Sequence, residues 1–74
     1  MTKEEVIKQF ELLGYELIRH ERRNLIFKKY GSILDVYNYT NVSYSKHWNS
    51  VSVSITLQEH QLLTELFKCY KWIE

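Results

Sequence analysis

The chain has 74 residues, a formal net charge of +1 and a single cysteine, Cys69. That length makes one small domain, with a core giving about 3–5 kcal/mol of net stability and little room to enclose a substrate pocket. The charge excludes both a polycation built for bulk nucleic-acid binding and an acidic DNA mimic, and one cysteine excludes an internal disulfide framework.

Hydrophobic residues make up 45% and aromatics 15%, with no proline and two glycines. This composition predicts regular elements joined by short turns. No apolar run approaches the ~18–20 residues of a membrane span. The opening Met-Thr-Lys-Glu-Glu is charged from its third residue and lacks a signal-peptide apolar region. A cytosolic protein with no membrane partner is expected.

In chain order, the first element reads as a helix. Thr2 and Glu5 have capping-box spacing, Val6, Ile7, Phe10 and Leu13 form one stripe, and Gly14 is a natural stop. Tyr15–His20 and Leu25–Tyr30 read as paired strands joined by a polar turn at 21–24, with Gly31-Ser32 as the next turn. Ile33–Tyr39 follows, then a turn at Thr40-Asn41 and a weaker strand-like run, Val42–Trp48, which fits either a strand or a long loop. Val51–Leu57 alternates apolar and hydroxyl side chains without a break and predicts a last strand. Thr56 with Glu59 is a second capping box, and Leu62, Leu63, Leu66, Cys69, Tyr70 and Ile73 form the stripe of a final helix. The expected fold is α+β: one domain over residues 1–74, helix, antiparallel meander of three to five strands, helix.

Between Tyr30 and Thr56 the chain carries only two charges, Asp35 and Lys46, among many Tyr, Ser and Asn residues. Tyrosine offers rigid amphipathic contact area, and Ser and Asn offer adaptable hydrogen bonding, the chemistry of binding surfaces. Strand parity sets Asp35 on one face with Tyr37 and Tyr39, opposite Leu34 and Val36. If both helices cover one face, the other carries Ile26, Tyr30, Ile33, Tyr37 and Tyr39 and forms an exposed aromatic patch. If one helix covers each face, these side chains are core. Tyr44 and Trp48 share parity with Val42 and Lys46, so their face stays open.

Five of the ten basic residues, Arg19, Arg22, Arg23, Lys28 and Lys29, fall within residues 19–29. A hairpin tip of this kind could grip phosphates or could be a solvated turn that discourages edge pairing. His20, His47, His60 and Cys69 show no metal-ligand spacing, and Cys69 reads as a small apolar-stripe residue. No nucleophile elbow or phosphate loop is present, and no cofactor is expected. The adjacent His20 and Glu21 point to opposite faces of a strand. Trp72 lies about 130° from the centre of the helix stripe, either as an exposed anchor or folded back over the C-terminus.

Two resemblances add to this reading. Met-Thr-Lys-Glu-Glu, Leu-Gly-Tyr-Glu at 13–16, Ile-Thr-Leu-Gln-Glu-His at 55–60 and the closing Tyr-Lys-Trp-Ile-Glu resemble small phage and prophage proteins of Gram-positive bacteria. Many characterised proteins of that context inhibit bacterial defences, anti-CRISPR proteins among them. The resemblance implies a host protein as partner and the host cytosol as location. Residues 6–30, with Leu-Gly-Tyr-Glu-Leu-Ile-Arg at 13–19 and Leu-Ile-Phe at 25–27, are similar to the start of HicA-type mRNA-interferase toxins, whose fold resembles a double-stranded RNA-binding domain. Those toxins carry Gly-Ser-His with a catalytic histidine where this chain has Arg22, Arg23 and Asn24.

The expected function is therefore contact, without catalysis: a protein-binding module, with a homodimeric structural protein as an alternative reading. Tyr30, Tyr37, Tyr39, Tyr44 and Trp48 would supply contact area, with Arg22 and Arg23 at its rim. A nucleic-acid binder using the basic hairpin 19–29 is the runner-up.

Overall fold

Two helices of the same construction cover one face of a five-stranded antiparallel sheet in the computed structural model, which describes residues 1–73. In chain order the elements are α1 (Lys3–Leu12), β1 (Glu16–Glu21), β2 (Asn24–Lys29), β3 (Ser32–Asn38), β4 (Val42–Trp48), β5 (Val51–Ser52) and α2 (Leu57–Cys69). The strands lie in the order β1-β2-β3-β4-β5, a simple meander. The fold is α+β, as the alternation of helical and period-2 segments predicts.

Both helices open on a capping box. Thr2 Oγ1 accepts from the Glu5 N–H at 3.2 Å and the Glu5 carboxylate accepts from the Thr2 N–H at 3.1 Å. Thr56 and Glu59 repeat the exchange at 3.1 and 3.0 Å. Each reciprocal pair satisfies N–H groups that the first helical turn leaves without partners.

The two helices also end alike. In α1 the Gly14 N–H donates to Glu11 O at 2.9 Å and the Tyr15 N–H to Phe10 O at 3.1 Å; in α2 the Lys71 N–H donates to Lys68 O at 3.0 Å and the Trp72 N–H to Phe67 O at 2.8 Å. These are Schellman stops, and each adds the apolar contact the motif favours. Phe10 meets Tyr15 edge-on with centroids 5.9 Å apart, and Phe67 stacks on Trp72 at 5.8 Å. Trp72 thus folds back onto the helix. The left-handed position is glycine in α1 (Gly14, φ 98°) but lysine in α2 (Lys71, φ 59°). A residue with a Cβ costs roughly 1–2 kcal/mol there.

The core forms between the helices and the inward face of β2 and β3. Leu25 pairs with Val36 and Phe27 with Leu34, and all four are fully buried together with Val6, Phe10, Leu63 and Leu66. Phe10 stacks on Phe27 at 4.5 Å. The arrangement with one helix on each face does not occur, because both apolar stripes converge on this single layer.

The run 42–48 is a strand paired along its whole length with β3. The expected strand over 51–57 is corrected: pairing stops at Ser52, and Val53 N–H to Lys46 O at 3.0 Å is its last tie to β4. The chain must leave the sheet edge there to carry α2 back across the face, and Ile55 packs onto the core from an extended connector. The turn after β2 also shifts by one residue, to Tyr30-Gly31. A side chain at Gly31 would put Cβ 2.9 Å from Asn49 Oδ1, so the Asn49 side chain would have to shift where the two turns meet.

Both sheet edges are protected. β1 carries Glu16, Arg19 and Glu21 and is interrupted by a register shift between Leu17 and Arg19, while β5 is two residues long. Charges, a bulge and a very short edge strand each oppose edge-to-edge pairing.

Candidate functional site

With both helices on one side, the other face of the sheet is left open. Register sets its rows. Asn24, Tyr37 and Ser43 lie side by side, then Ile26, Asp35 and Ser45, then Lys28, Ile33 and His47. Ile26, Ile33 and Tyr37 are half-buried by their neighbours alone. Tyr37 stacks on Tyr39 with centroids 5.8 Å apart and planes at 29°, and Tyr39 remains 60% exposed. The pair is an aromatic platform at the end of β3, next to the turn after it.

A polar brace lies beside the platform. Asn24 is buried, and its Nδ2 donates to Asp35 Oδ1 at 2.6 Å and to Val36 O at 3.1 Å. The Asn38 N–H donates to Arg23 O at 2.9 Å, which fixes the β1–β2 turn against the same end of β3. Tyr37, Tyr39, Arg22 and Arg23 therefore gather at one end of the sheet, with the arginines as the two turn residues.

The other three expected contact residues lie elsewhere. Tyr30 is 83% exposed in the β2–β3 turn at the opposite end, roughly 17–20 Å away along a strand of this length. Tyr44 stands opposite Val36 on the helix-covered face and stacks on Phe67 at 6.4 Å. Trp48 is on that same side, opposite Ser32 and paired with Val51 at the sheet margin. The seven residues do not form one surface.

The basic hairpin separates in the same way. Arg19 lies 3.9 Å from Glu21, Lys28 is on the open face, and Lys29 reaches over the Tyr15 ring on the helix side. Its cations point in several directions. Arg22 and Arg23 instead line a cleft with residues from near the two ends of the chain.

One polar cluster has no counterpart in the local sequence patterns. Glu59, the capping carboxylate of α2, is 5% exposed and receives a hydrogen bond from the Tyr15 hydroxyl. Lys46 Nζ donates to both its oxygens at 2.9 and 3.0 Å. Burial pushes the Glu59 carboxyl up, but bonds from the Thr56 N–H, Tyr15 and Lys46 outweigh it and hold the group below the usual glutamate range. Burial also pulls Lys46 down, yet Glu59 and Tyr15 raise it above the ordinary lysine value. Tyr15 is raised, first by burial and then by Glu59. An ammonium, a hydroxyl and a backbone N–H surround the carboxylate, so the cluster is a buried tie between β4, α2 and the end of α1. The pairing spans Lys46 to Glu59 across an irregular connector, which no periodicity reveals.

Among the described residues, no group of three His, Cys, Asp or Glu side chains is placed to hold a metal ion. No helix among them is long and apolar enough to cross a membrane. No protein-family profile, curated protein or solved structure matches the chain.

Proposed function

We propose that this domain is a stoichiometric protein-binding module acting through the open face of its sheet. The observation that carries the reading is the Tyr37–Tyr39 stack on an uncovered face, beside the Asn24–Asp35 hydrogen bond. Two stacked tyrosines give contact area at a small loss of side-chain freedom, and aromatic anchors dominate interface energetics. Arg22 and Arg23 sit at the adjoining turn but line the cleft on the helix side, so the open-face contact rests on the tyrosines. The protected sheet edges favour docking onto the face over strand addition.

The sharper form rests on the resemblance to small phage and prophage proteins: an inhibitor that occludes a host defence or regulatory protein in the bacterial cytosol. Its test is affinity capture from a Gram-positive lysate after nuclease treatment, with wild-type chain and Tyr39→Ala in parallel. One protein retained near equal stoichiometry by the wild type and lost from the variant is the expected result. Equal retention by both chains, or recovery of nucleic acid alone, overturns the reading.

A further inference from the structure

A second candidate site lies on the helix side of the same end of the sheet, where the β1–β2 turn faces the start of α1 and the end of α2. It is a groove of two adjoining lobes. The first, of about 430 Å³, is lined by Lys3, His20, Glu21, Arg22, Cys69, Tyr70 and Lys71. The second, of about 280 Å³, is lined by Arg22, Arg23, Asn38 and Lys71 together with Tyr70 and Trp72. Arg22, Tyr70 and Lys71 are common to both.

Four full cations from three separated parts of the sequence thus meet in one groove. Among the described residues, none of Lys3, Arg22, Arg23 and Lys71 forms a salt bridge. Glu21, the acid on the wall, lies 3.9 Å from Arg19, and the Tyr70 hydroxyl is raised by burial first and then by the nearby Glu4. The groove floor is fixed. His20 Nε2 and the Tyr70 hydroxyl are 2.5 Å apart, and Lys3 Nζ lies 4.9 Å from the Tyr70 ring centroid. The closing bonds of α2 occupy the carbonyls of Leu66, Phe67 and Lys68; the negative end of that helix opposes an anion, and Lys68 and Lys71 offset it.

Lys71 lines both lobes. The chain uses glycine at the left-handed stop of α1 and a strained lysine at the matching stop of α2. Favourable charge at the end of α2 is already provided by Lys68 in its last turn. The left-handed backbone at Lys71, shared in this chain with Tyr30, Asn49 and Ser50, holds a cation at the junction of the two lobes.

We propose that this groove binds the phosphate of a nucleotide, free or at the end of a nucleic-acid strand. Arginine forks and a lysine suit a phosphate at the junction. Trp72, backed by Phe67 and partly exposed, supplies an aromatic wall for the base in the second lobe. The first lobe is within the volume range of small-ligand sites, and the second falls just below it. A nucleotide joins these two chemistries in one molecule, which a phosphorylated serine peptide does not.

The test is titration of isotope-labelled full chain, followed by NMR, with AMP, with a short 5′-phosphorylated oligoribonucleotide and with a phosphoserine peptide. Expected are shifts at Arg22, Arg23, Lys71 and the Trp72 indole, with the Trp48 indole unmoved. Lys71→Gly with Arg22→Gln should weaken AMP binding at least about tenfold, as for the loss of a charge-assisted hydrogen bond, and Lys71→Gly alone should raise the melting temperature, so loss of fold does not explain the loss of binding. Tighter binding of the oligonucleotide than of AMP would assign a strand end, and equal affinity a free nucleotide. Undiminished binding by the double variant, equally tight binding of the phosphopeptide, or no binding of either nucleotide ligand overturns the proposal. Tyr39→Ala should leave AMP binding unchanged, which separates this site from the open face.

Discussion

Lys46 Nζ lies 2.9 and 3.0 Å from the two carboxylate oxygens of Glu59, a contact that joins the fourth strand to the first turn of the second helix. Both side chains are largely buried, 13% and 6% exposed. The same carboxylate caps α2 and accepts from Tyr15, so one residue couples three elements.

Removing it should therefore be severe. Glu59→Ala leaves a buried ammonium unpaired and should cost about 3–5 kcal/mol, comparable to the whole net stability of a domain this small. Glu59→Gln keeps an acceptor for the Thr56 N–H and should cost less. Urea denaturation followed by circular dichroism distinguishes the two, with the alanine variant largely unfolded before urea is added.

The same cluster sets a pH profile. The folded Glu59 carboxyl titrates below its unfolded value, so its contribution is present above pH of about 4.3 and is lost as pH falls through the folded value. Lys46 and Tyr15 are raised, so their contributions are present below the ordinary values near 10 and are lost as pH rises through the folded ones. Melting temperature should be flat between these limits and fall on both sides. Glu59→Gln should flatten much of the acid limb, leaving a residue from Glu5, which its Thr2 cap also holds low.

The two helix stops predict opposite signs. Gly14→Ala places a Cβ at φ 98° and 3.2 Å from Lys29 Cε, and should lose roughly 1–2 kcal/mol. Lys71→Gly relieves the corresponding strain and should gain about 1 kcal/mol, seen as a rise of about 4–8 °C in melting temperature. Thermal melts of the two variants beside the wild type check both.

Capping offers a like-for-like comparison. Thr2→Ala and Thr56→Ala should each cost about 0.5–2 kcal/mol. The second should be the larger, because the Thr56 cap also orients the buried Glu59 carboxylate. Denaturation midpoints of the two single variants test the order.

What was legible in the sequence was local. Thr2 with Glu5 and Thr56 with Glu59 place both helix starts, and Gly14 places one helix end, because capping and glycine chemistry act within a few residues. The parity of Leu34, Val36, Asp35 and Tyr37 correctly separates the faces of β3. The alternation of Val51–Leu57 misleads because only Ile55 packs on the core, while Val51, Val53 and Leu57 stay exposed beyond the short pairing of β5. Lys46 and Tyr44 sit on the inward face, where a strand pattern expects aliphatic side chains; their partners, Glu59 and Phe67, lie on a later helix. The gathering of Lys3, Arg22 and Lys71 is a tertiary event with no local signature.

The most direct test of the open-face account compares two quantities for Tyr37→Ala and Tyr39→Ala: affinity for the captured partner and melting temperature. Each variant should lose roughly 1–3 kcal/mol of binding while melting close to the wild type. A large fall in melting temperature with partner affinity intact would make the tyrosine pair a structural element and contradict the account.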